Sequence, residues 1–273
     1  MDGILVINKP AGMTSHDVIS HLRRQYKQKK FGHTGTLDPD ATGVLVVLAG
    51  KACKCLQFLE NTDKEYVAEI ELGTDTDTDD ASGNAVDSAP VHTDFDFALE
   101  LQKFVGPQHQ RVPRTSAKKV DGRKLYELQR KGREVPDVYT DVTIYQAEPL
   151  DDSVLKFRVA CSSGTYIRSI CRDLAHNTGN CGHMKSLVRT RAGQFTLDQA
   201  QPLEGPHTVY PVRMALQGLP ALHWSGAGDI ENGRRIHMDS TEDMVLMVDE
   251  QGEPMAVYGR DHGDVFGCVR GLR

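Results

Sequence analysis

The stretch that most constrains the fold is a glycine-rich loop at residues 32–43, followed by the apolar run at 44–48. Its glycines permit backbone conformations that other residues avoid, so the loop can turn sharply or approach a ligand closely. Pro39 fixes its own φ angle and favours an extended conformation at Asp38. The apolar run is short and rich in β-branched residues, which predicts a buried strand. Asp38 is therefore expected on a stiff loop at the edge of a sheet.

Two interpretations of Asp38 follow from this loop. A carboxylate on a loop held by a rigid scaffold is typical of a functional group. An aspartate in a turn can equally accept hydrogen bonds from backbone N–H groups and have no further role. The composition of the loop alone favours the second interpretation, because short motifs often match by chance.

Length and composition predict a globular protein. A chain of 273 residues with 26% charged residues can build one large domain or two unequal ones. We see no apolar run near the roughly 18 residues of a membrane span. Acidic Asp2, before the first apolar run, is unlike the basic start of a secretory signal. We therefore expect a cytoplasmic protein with no membrane partner.

The sequence predicts neither a metal site nor a cofactor. Six scattered cysteines are typical of reduced thiols, and the spacing of Cys53 and Cys55 is wrong for a zinc knuckle. The acidic run at 74–80 resembles a calcium loop only superficially. A loop begun at Asp75 would need glycine at its sixth position and glutamate at its twelfth, where the chain has Asp80 and Val86. Phosphate-loop and dinucleotide fingerprints are not seen.

Charge is distributed unevenly along the chain. The net charge of −6 argues weakly against a nucleic-acid partner. Residues 63–100 carry twelve acids against one lysine, however, whereas residues 111–133 carry nine arginines or lysines. Because nucleic acid responds to local potential, an acidic protein can still present a basic groove. Each basic run could also be an ordinary solvated surface.

The glycine-rich loop carries a family resemblance. GHTGTLDPDATG at 32–43 closely resembles GHxGxLDPxAxG, the signature of the TruB family of tRNA pseudouridine synthases. In that family the aspartate is the catalytic nucleophile, so the resemblance assigns this role to Asp38. KPAGMTS at 9–15 resembles the family's KPxGxTS motif, which implies that Lys9 supports the active-site loop. His33 becomes a candidate for wedging into the RNA loop, although it could equally be satisfied by backbone groups.

Three further motifs support the resemblance, which covers about residues 3–200. KEYVAEIELG at 64–73 resembles the strand whose tyrosine, here Tyr66, stacks on the target base. CSSGTYIRSICRDLA at 161–175 resembles the stretch that contributes Tyr166 and an arginine, here Arg168, paired with the catalytic aspartate. GHMKSLVRTRAG at 182–193 resembles the last motif and implies that Leu187 lies near the base. A core tyrosine and a solvated arginine are the alternatives for Tyr66 and Arg168.

The basic region resembles the family's insertion, a flexible arm that closes over the RNA stem-loop. The insertion is expected at about 107–135, with a short helix that Gly132 can terminate. Thr115 stands where the family usually has tyrosine, and Lys118 where it usually has leucine. The residues expected to contact RNA phosphates are Lys118, Lys119, Arg123 and Lys124.

Hydrophobic periodicity completes the predicted fold. We expect an α+β protein of the pseudouridine synthase fold, with a central mixed, largely antiparallel sheet flanked by helices and loops. A helix is predicted at 51–60 with Leu56 and Leu59 facing inward. Short apolar runs and glycine-bearing turns after about residue 214 predict a small β-barrel, by position PUA-like, that leans on the main domain. The catalytic domain is expected at 1–213 and the PUA-like domain at 214–273.

The resemblance implies isomerisation of uridine to pseudouridine at position 55, in the T loop of tRNA. The expected partner is the T stem-loop, and we expect a monomer. Two other classes remain open. One is an RNA-binding and folding chaperone without essential catalysis. The other is a carboxylate-dependent glycosidase, which would need a second acid near Asp38, and only Asp40 stands close in sequence.

Overall fold

The computed structural model describes residues 1–59, 62–120, 122–131 and 133–273. Within these ranges no helix is long and apolar enough to cross a membrane. The α-helices are α1 (Ser15–Gln25), α2 (Phe97–Gln102), α3 (Leu125–Arg130), α4 (Ile167–Asn177) and α5 (Ala227–Glu231). Short 3₁₀ helices cover Gly50–Phe58, Asp152–Val154, Leu197–Gln199 and Val212–Leu216.

The strands range in length from two to thirteen residues. In chain order they are β1 (Gly3–Lys9), β2 (Phe31–His33), β3 (Thr42–Ala49), β4 (Lys64–Leu72), β5 (Thr74–Thr76), β6 (Ala85–Ser88), β7 (Gly106–Arg111), β8 (Lys119–Val120), β9 (Arg123–Lys124), β10 (Tyr139–Asp151), β11 (Lys156–Cys161), β12 (Gly182–Ala192), β13 (Phe195–Thr196), β14 (Gln201–Pro202), β15 (Ala221–His223), β16 (Ile236–His237), β17 (Met244–Val248), β18 (Pro254–His262) and β19 (Val265–Gly271).

A large mixed sheet forms the centre of the protein. Its order is β14-β1-β3-β12-β4-β11-β10-β7, with β2 paired to β3 and β13 to β12. The β1–β14 and β3–β12 pairings are parallel, and the others in this sheet are antiparallel. The predicted mixed, largely antiparallel sheet is therefore confirmed. Strand β12, late in the chain, lies between two early strands, β3 and β4.

Two helices position the site. Thr14 and Asp17 form a capping box at the start of α1, which buries Val18, Ile19 and Leu22 against β1 and β3. In α4 the inward residues recur with the helical period and pack in the same apolar cluster as β4 and β11. Both helices begin near the glycine-rich loop, so side chains in their first turns can reach it.

The C-terminal residues form a second, curled sheet of half-barrel shape, with the order β15-β17-β18-β19-β16. Leu246, Val248 and Val257 of this sheet share one apolar cluster with Val6 and Val46 of the large sheet. The expectation that the small sheet leans on the main one is confirmed. This burial is needed because fewer than 60 residues make a marginal core by themselves.

One local prediction was wrong. The segment predicted as a helix at 51–60 is a 3₁₀ helix over Gly50–Phe58, and Leu56 is 49% exposed instead of inward. Ala52, Cys55 and Phe58 are buried in its place. They are spaced three residues apart because a 3₁₀ helix has three residues per turn, which turns Leu56 outward. Leu59 is partly buried, as predicted.

Candidate active site

The glycine-rich loop connects β2 to β3, and two side chains from the KPAGMTS segment fix it on either side of Asp38. The Ser15 hydroxyl accepts a hydrogen bond from the Leu37 N–H at 2.9 Å and donates to the Leu37 carbonyl at 3.2 Å. Fully buried Lys9 donates from Nζ to the Pro39 carbonyl at 2.8 Å. Burial lowers the pKa of Lys9 to about 8. The conformation of the loop at Asp38 is therefore set by contacts on both neighbouring residues.

Arg189 fixes the preceding part of the loop, and the sequence interpretation missed it. Its side chain is 1% exposed, and it donates to the carbonyls of Gly35 at 3.1 Å, Thr36 at 3.3 Å and Val44 at 2.7 Å. One signal was available. Arg189 shares the inward face of β12 with Leu187, a position where a charged residue is unusual and needs partners.

Gly43 allows β3 to approach β12 beside this arginine. Its φ angle is +97°, and a Cβ atom there would lie 2.2 Å from the Arg189 carbonyl oxygen. The parallel register places Arg189 opposite Gly43. A side chain at this position would force the two strands apart and move the Arg189 backbone away from the loop.

Arg168, in the first turn of α4, holds the Asp38 carboxylate with two nitrogens. Nε lies 3.1 Å from Oδ2, and Nη2 donates to Oδ1 at 3.3 Å. Arg168 also donates to the carbonyls of Thr78 at 2.8 Å and Thr115 at 3.0 Å, and its Nη1 lies 3.4 Å from Asp80 Oδ2. The arginine is 7% exposed, whereas the Asp38 side chain is 35% exposed and reachable from solvent.

Burial and the neighbouring charges act in opposite directions on the Asp38 carboxyl, and the net result is a raised pKa. Burial raises its pKa above the ordinary value, and the Arg168 guanidinium opposes this rise. The carboxylate of Asp80 raises the pKa further, and Lys9 lowers it. A carboxylate whose pKa is raised by burial is a stronger base and nucleophile than one in water, and Arg168 opposes its neutralisation.

The acidic run at 74–80 is an ordered turn that docks along α4. Asp80, Asp79 and Asp75 approach Arg168, Arg172 and His176, at 3.4, 2.6 and 2.8 Å respectively. The three basic residues are four positions apart, so they form one stripe on the helix. The acidic turn thus serves as the counter-charge of α4 and fixes the helix whose first turn carries Arg168.

Tyr66 and Leu187 line an apolar wall beside the loop. Tyr66 is 6% and Leu187 8% exposed, and both belong to one cluster with Leu37. Tyr66 on β4 lies opposite Arg189 on β12. Burial raises the pKa of Tyr66, and Arg189 only partly opposes the rise, so the phenol is neutral. A neutral aromatic ring beside Asp38 suits stacking on a base better than proton abstraction.

His33 and Tyr166 have less definite surroundings. His33 is half-buried at the end of β2, and its Nδ1 has no hydrogen-bond partner among the described residues. Burial and the charge of Arg189 lower its pKa. Tyr166 is the residue before α4, and its backbone N–H and carbonyl both bond to the Gln110 side chain, at 2.8 and 3.0 Å. Its ring is half-buried.

The basic segment begins in the large sheet and continues beyond it. Residues 107–111 of the predicted insertion lie in β7, and the β8–β9 hairpin and α3 follow. Lys118, Lys119 and Arg123 are exposed, whereas Lys124 lies over the Tyr126 ring, 5.3 Å from its centroid. Gly132, predicted to end the helix, lies outside the described residues. The bond from Arg168 to the Thr115 carbonyl joins the base of this segment to Asp38.

The arrangement provides an arginine that pairs with the carboxylates of Asp38 and Asp80, and an apolar wall that includes the ring of Tyr66. Asp40, the acid that a glycosidase would need, is exposed beside the loop. Across the part of the chain that the structure describes, no three His, Cys, Asp or Glu residues are grouped to hold a metal ion. Such a site suits covalent or proton-transfer chemistry.

Comparison with known proteins identifies the family of this chain. The model of the TruB family pseudouridylate synthase N-terminal domain matches residues 23–167. A tRNA pseudouridine synthase B of Alkaliphilus oremlandii is 39% identical, over 99% of this chain and 94% of the relative. This chain belongs to the TruB family of pseudouridine synthases. It is therefore an isomerase, and the resemblance seen in the sequence motifs is confirmed.

Other relatives agree. A tRNA pseudouridine synthase B of Bacillus subtilis is 37% identical over 94% of this chain and 93% of the relative. A solved structure of a Cbf5-Nop10-Gar1 complex contains a chain that superposes with a TM-score of 0.72 at 23% identity, covering 99% of this chain and 85% of that chain. This structural likeness shows the pseudouridine synthase fold and no more.

Proposed function

We propose that this TruB-family enzyme isomerises uridine to pseudouridine at position 55 in the T loop of tRNA, with Asp38 as the catalytic carboxylate. The observation that carries the proposal is the Asp38–Arg168 pair. It holds a reactive carboxylate beside Tyr66 and Leu187, on a loop whose residues on either side of Asp38 are fixed by hydrogen bonds. The names of its relatives, tRNA pseudouridine synthase B, support tRNA as the substrate.

Each side chain has a part in this proposal. The target uridine leaves its stack and packs against Tyr66 and Leu187, because an enzyme reaches such a base only after flipping. Asp38 then attacks the nucleotide or removes its C2′ proton, and either step needs the ionised carboxylate. The bond between N1 and C1′ breaks and uracil turns. C5 then bonds to C1′ as the bond to Asp38 breaks or as the C2′ proton returns. C5 finally loses its proton to water and N1 gains one, so release of C5-bound tritium reports the reaction. His33 fills the place that the base leaves in the RNA loop, and Tyr166 lies at the edge of the pocket.

The bond changes balance within one nucleoside, so no oxidant or reductant takes part, and we propose that the enzyme needs no cofactor or metal. The exposed cations of the arm bind phosphates of the T stem. We further propose a monomer that acts in the cytoplasm, with residues 1–213 as the catalytic domain and 214–273 as a PUA-like domain.

The test is release of tritium from C5-labelled uridine in a T stem-loop RNA, measured in EDTA. We expect single-turnover release by the wild type and a loss of more than about 1000-fold, or about 4 kcal/mol, in Asp38→Asn. The amide keeps the shape of the carboxylate, and Arg168 keeps Asp80 as a partner, so the fold should persist. Affinity in filter binding should change by less than tenfold.

Asp40→Asn is the matched control, because it removes an exposed carboxylate two residues away. It should release tritium at the wild-type rate. Release by Asp38→Asn, with deamidation excluded by mass spectrometry, would refute the catalytic assignment. Tight binding of the RNA by the wild type without any tritium release would instead favour a folding chaperone.

A further inference from the structure

We propose that Lys64 is a phosphate-binding residue, which contacts one of the two backbone phosphates that flank the target uridine. The inference rests on the proposed function, because it requires an RNA strand to cross the glycine-rich loop. It adds a substrate contact at the start of β4, a position to which neither the motifs nor the arm assigns one.

The first support is placement. Lys64 lies on the same face of β4 as Tyr66, because residues two apart in a strand share a face, about 6.7 Å apart. Its Cε atom is 3.4 Å from the point where a Cβ atom on Gly35 would stand, and Arg189 Nη1 is 3.6 Å from that point. Two cations therefore cover one glycine of the catalytic loop, beside the proposed base platform.

The second support is charge. Among the described residues, Lys64 donates to the carbonyl of Thr62, and the hydrogen bonds of Arg189 go to three carbonyls. These acceptors are neutral. The carboxylate of Asp63 attracts Lys64 and accepts a bond from the Tyr145 hydroxyl at 3.2 Å. Burial and the charge of Arg189 outweigh Asp63, and the pKa of Lys64 is lowered.

The same two effects favour an incoming anion. Half-buried Lys64, beside the fully buried Arg189, gains from any negative group that approaches it, since charge-assisted hydrogen bonds are stronger than neutral ones. The anion that RNA brings is its phosphodiester. One ribose separates a base from its own phosphates, a span comparable with the distance between Tyr66 and Lys64. A lysine binds a phosphate as a point charge and tolerates the movement of a flipping nucleotide.

The experiment compares charge removal on the protein with charge removal on the RNA. Lys64→Met keeps the long apolar stem and removes the ammonium, and Lys64→Arg keeps a cation. Lys185→Met is the matched control, because Lys185 lies on the neighbouring β12 and pairs with Glu69 at 2.7 Å. The substrates are T stem-loop RNAs with normal phosphates, or with one uncharged methylphosphonate either 5′ or 3′ of the target uridine.

We expect Lys64→Met to lower kcat/KM at least tenfold on normal RNA, and Lys64→Arg to restore most of it. One of the two methylphosphonate RNAs should lower the kcat/KM of the wild type by a similar factor. The kcat/KM of Lys64→Met should be the same on that RNA as on normal RNA. Lys185→Met should match the wild type on all three RNAs. If Lys64 serves only to hold the Thr62 carbonyl, the factor lost in Lys64→Met and the factor lost with each methylphosphonate RNA should be independent and should multiply. That result would overturn the proposal.

Filter binding repeats the comparison without turnover. The affinity of the wild type should fall for one methylphosphonate RNA, and Lys64→Met should not discriminate against it. Equal binding of all three RNAs by the wild type would also overturn the proposal. Failure of the proposed function gives a different result, namely a wild type that releases no tritium from normal RNA while its binding pattern persists. Thermal unfolding of each variant confirms that comparisons are made between folded proteins.

Discussion

Lys9 donates a hydrogen bond to the carbonyl of Pro39, 2.8 Å away, across thirty positions of sequence. The same ammonium donates to the carbonyls of Pro10 at 2.9 Å and Met13 at 2.6 Å. Three acceptors thus use all three donors of the ammonium, whereas a neutral amine has only two N–H groups. Deprotonation of Lys9 must therefore release one carbonyl.

The loss of one N–H donor from Lys9 predicts that the single-turnover rate decreases at alkaline pH. Because burial lowers the pKa of Lys9 to about 8, all three carbonyl contacts, including that to Pro39, are complete below that pH, and one of the three is lost above it. We expect single-turnover rates to fall above about pH 8. Lys9→Met should be at least tenfold slower at neutral pH and should lack this decrease. Lys29→Met, which removes an exposed lysine, should keep the wild-type profile; the same profile in Lys9→Met would contradict the prediction.

Arg168→Ala should reduce stability as well as rate. It leaves the half-buried Asp80 without the guanidinium and removes the donors of the Thr78 and Thr115 carbonyls. Breaking a buried pair costs about 3–5 kcal/mol, and the partial exposure of Asp38 places the expected cost near the lower end, about 3 kcal/mol. Urea unfolding measures this loss, and tritium release measures the accompanying fall in rate.

Arg168→Lys separates charge from geometry in the same assays. One ammonium cannot hold two carboxylate oxygens and two carbonyls at once. We expect part of the stability to return while turnover stays at least tenfold below the wild type. An unchanged unfolding midpoint in Arg168→Ala would show that the guanidinium does not hold the acidic turn in place.

Gly43→Ala tests the close approach of β3 and β12. The substitution adds a Cβ atom 2.2 Å from the Arg189 carbonyl and places alanine at a φ of +97°. Strain of this kind costs about 1–3 kcal/mol before the clash is relieved. We expect a lower thermal midpoint and reduced turnover. Gly32→Ala, in the same signature, meets nothing within 4 Å and should change stability by less than about 0.5 kcal/mol.

The basic arm should determine the salt dependence of RNA binding. Replacing Lys118, Lys119 and Arg123 with alanine should weaken binding, and the slope of log K against log salt should fall by about 0.7–0.9 for each phosphate that the variant no longer neutralises. A salt titration by filter binding measures the slope. Lys103→Ala with Lys156→Ala, two exposed lysines outside the arm, is the control. An unchanged slope in the arm variant would assign those residues to the solvated surface.

Local patterns in the sequence predicted much of the fold. Strand alternation from Lys64 and the helical period after Ile167 are properties of neighbouring residues, so both elements were found. Leu56 was misplaced because a 3₁₀ helix and an α-helix place different residues inward from the same short pattern. The motifs indicated Asp38 and Arg168, and their pairing at 3.1 Å agrees with the family pattern.

Contacts between residues far apart in the sequence could not be predicted. The bonds from Arg189 to the loop carbonyls depend on the parallel pairing of β3 with β12, which no local period reveals. The docking of the acidic turn on α4 depends in the same way on residues about ninety positions apart. The sequence showed an excess of acid in one segment and of base in another, but not which charges meet.

The position of β12 has a consequence for synthesis. This strand enters the large sheet between β3 and β4, both of which leave the ribosome more than a hundred residues earlier. Until residue 192 has emerged, β3 and β4 lack their common neighbour, and Arg189 is not present to hold the loop that carries Asp38. A nascent chain can therefore display the signature loop long before it can catalyse, so activity begins only after most of the protein has been made.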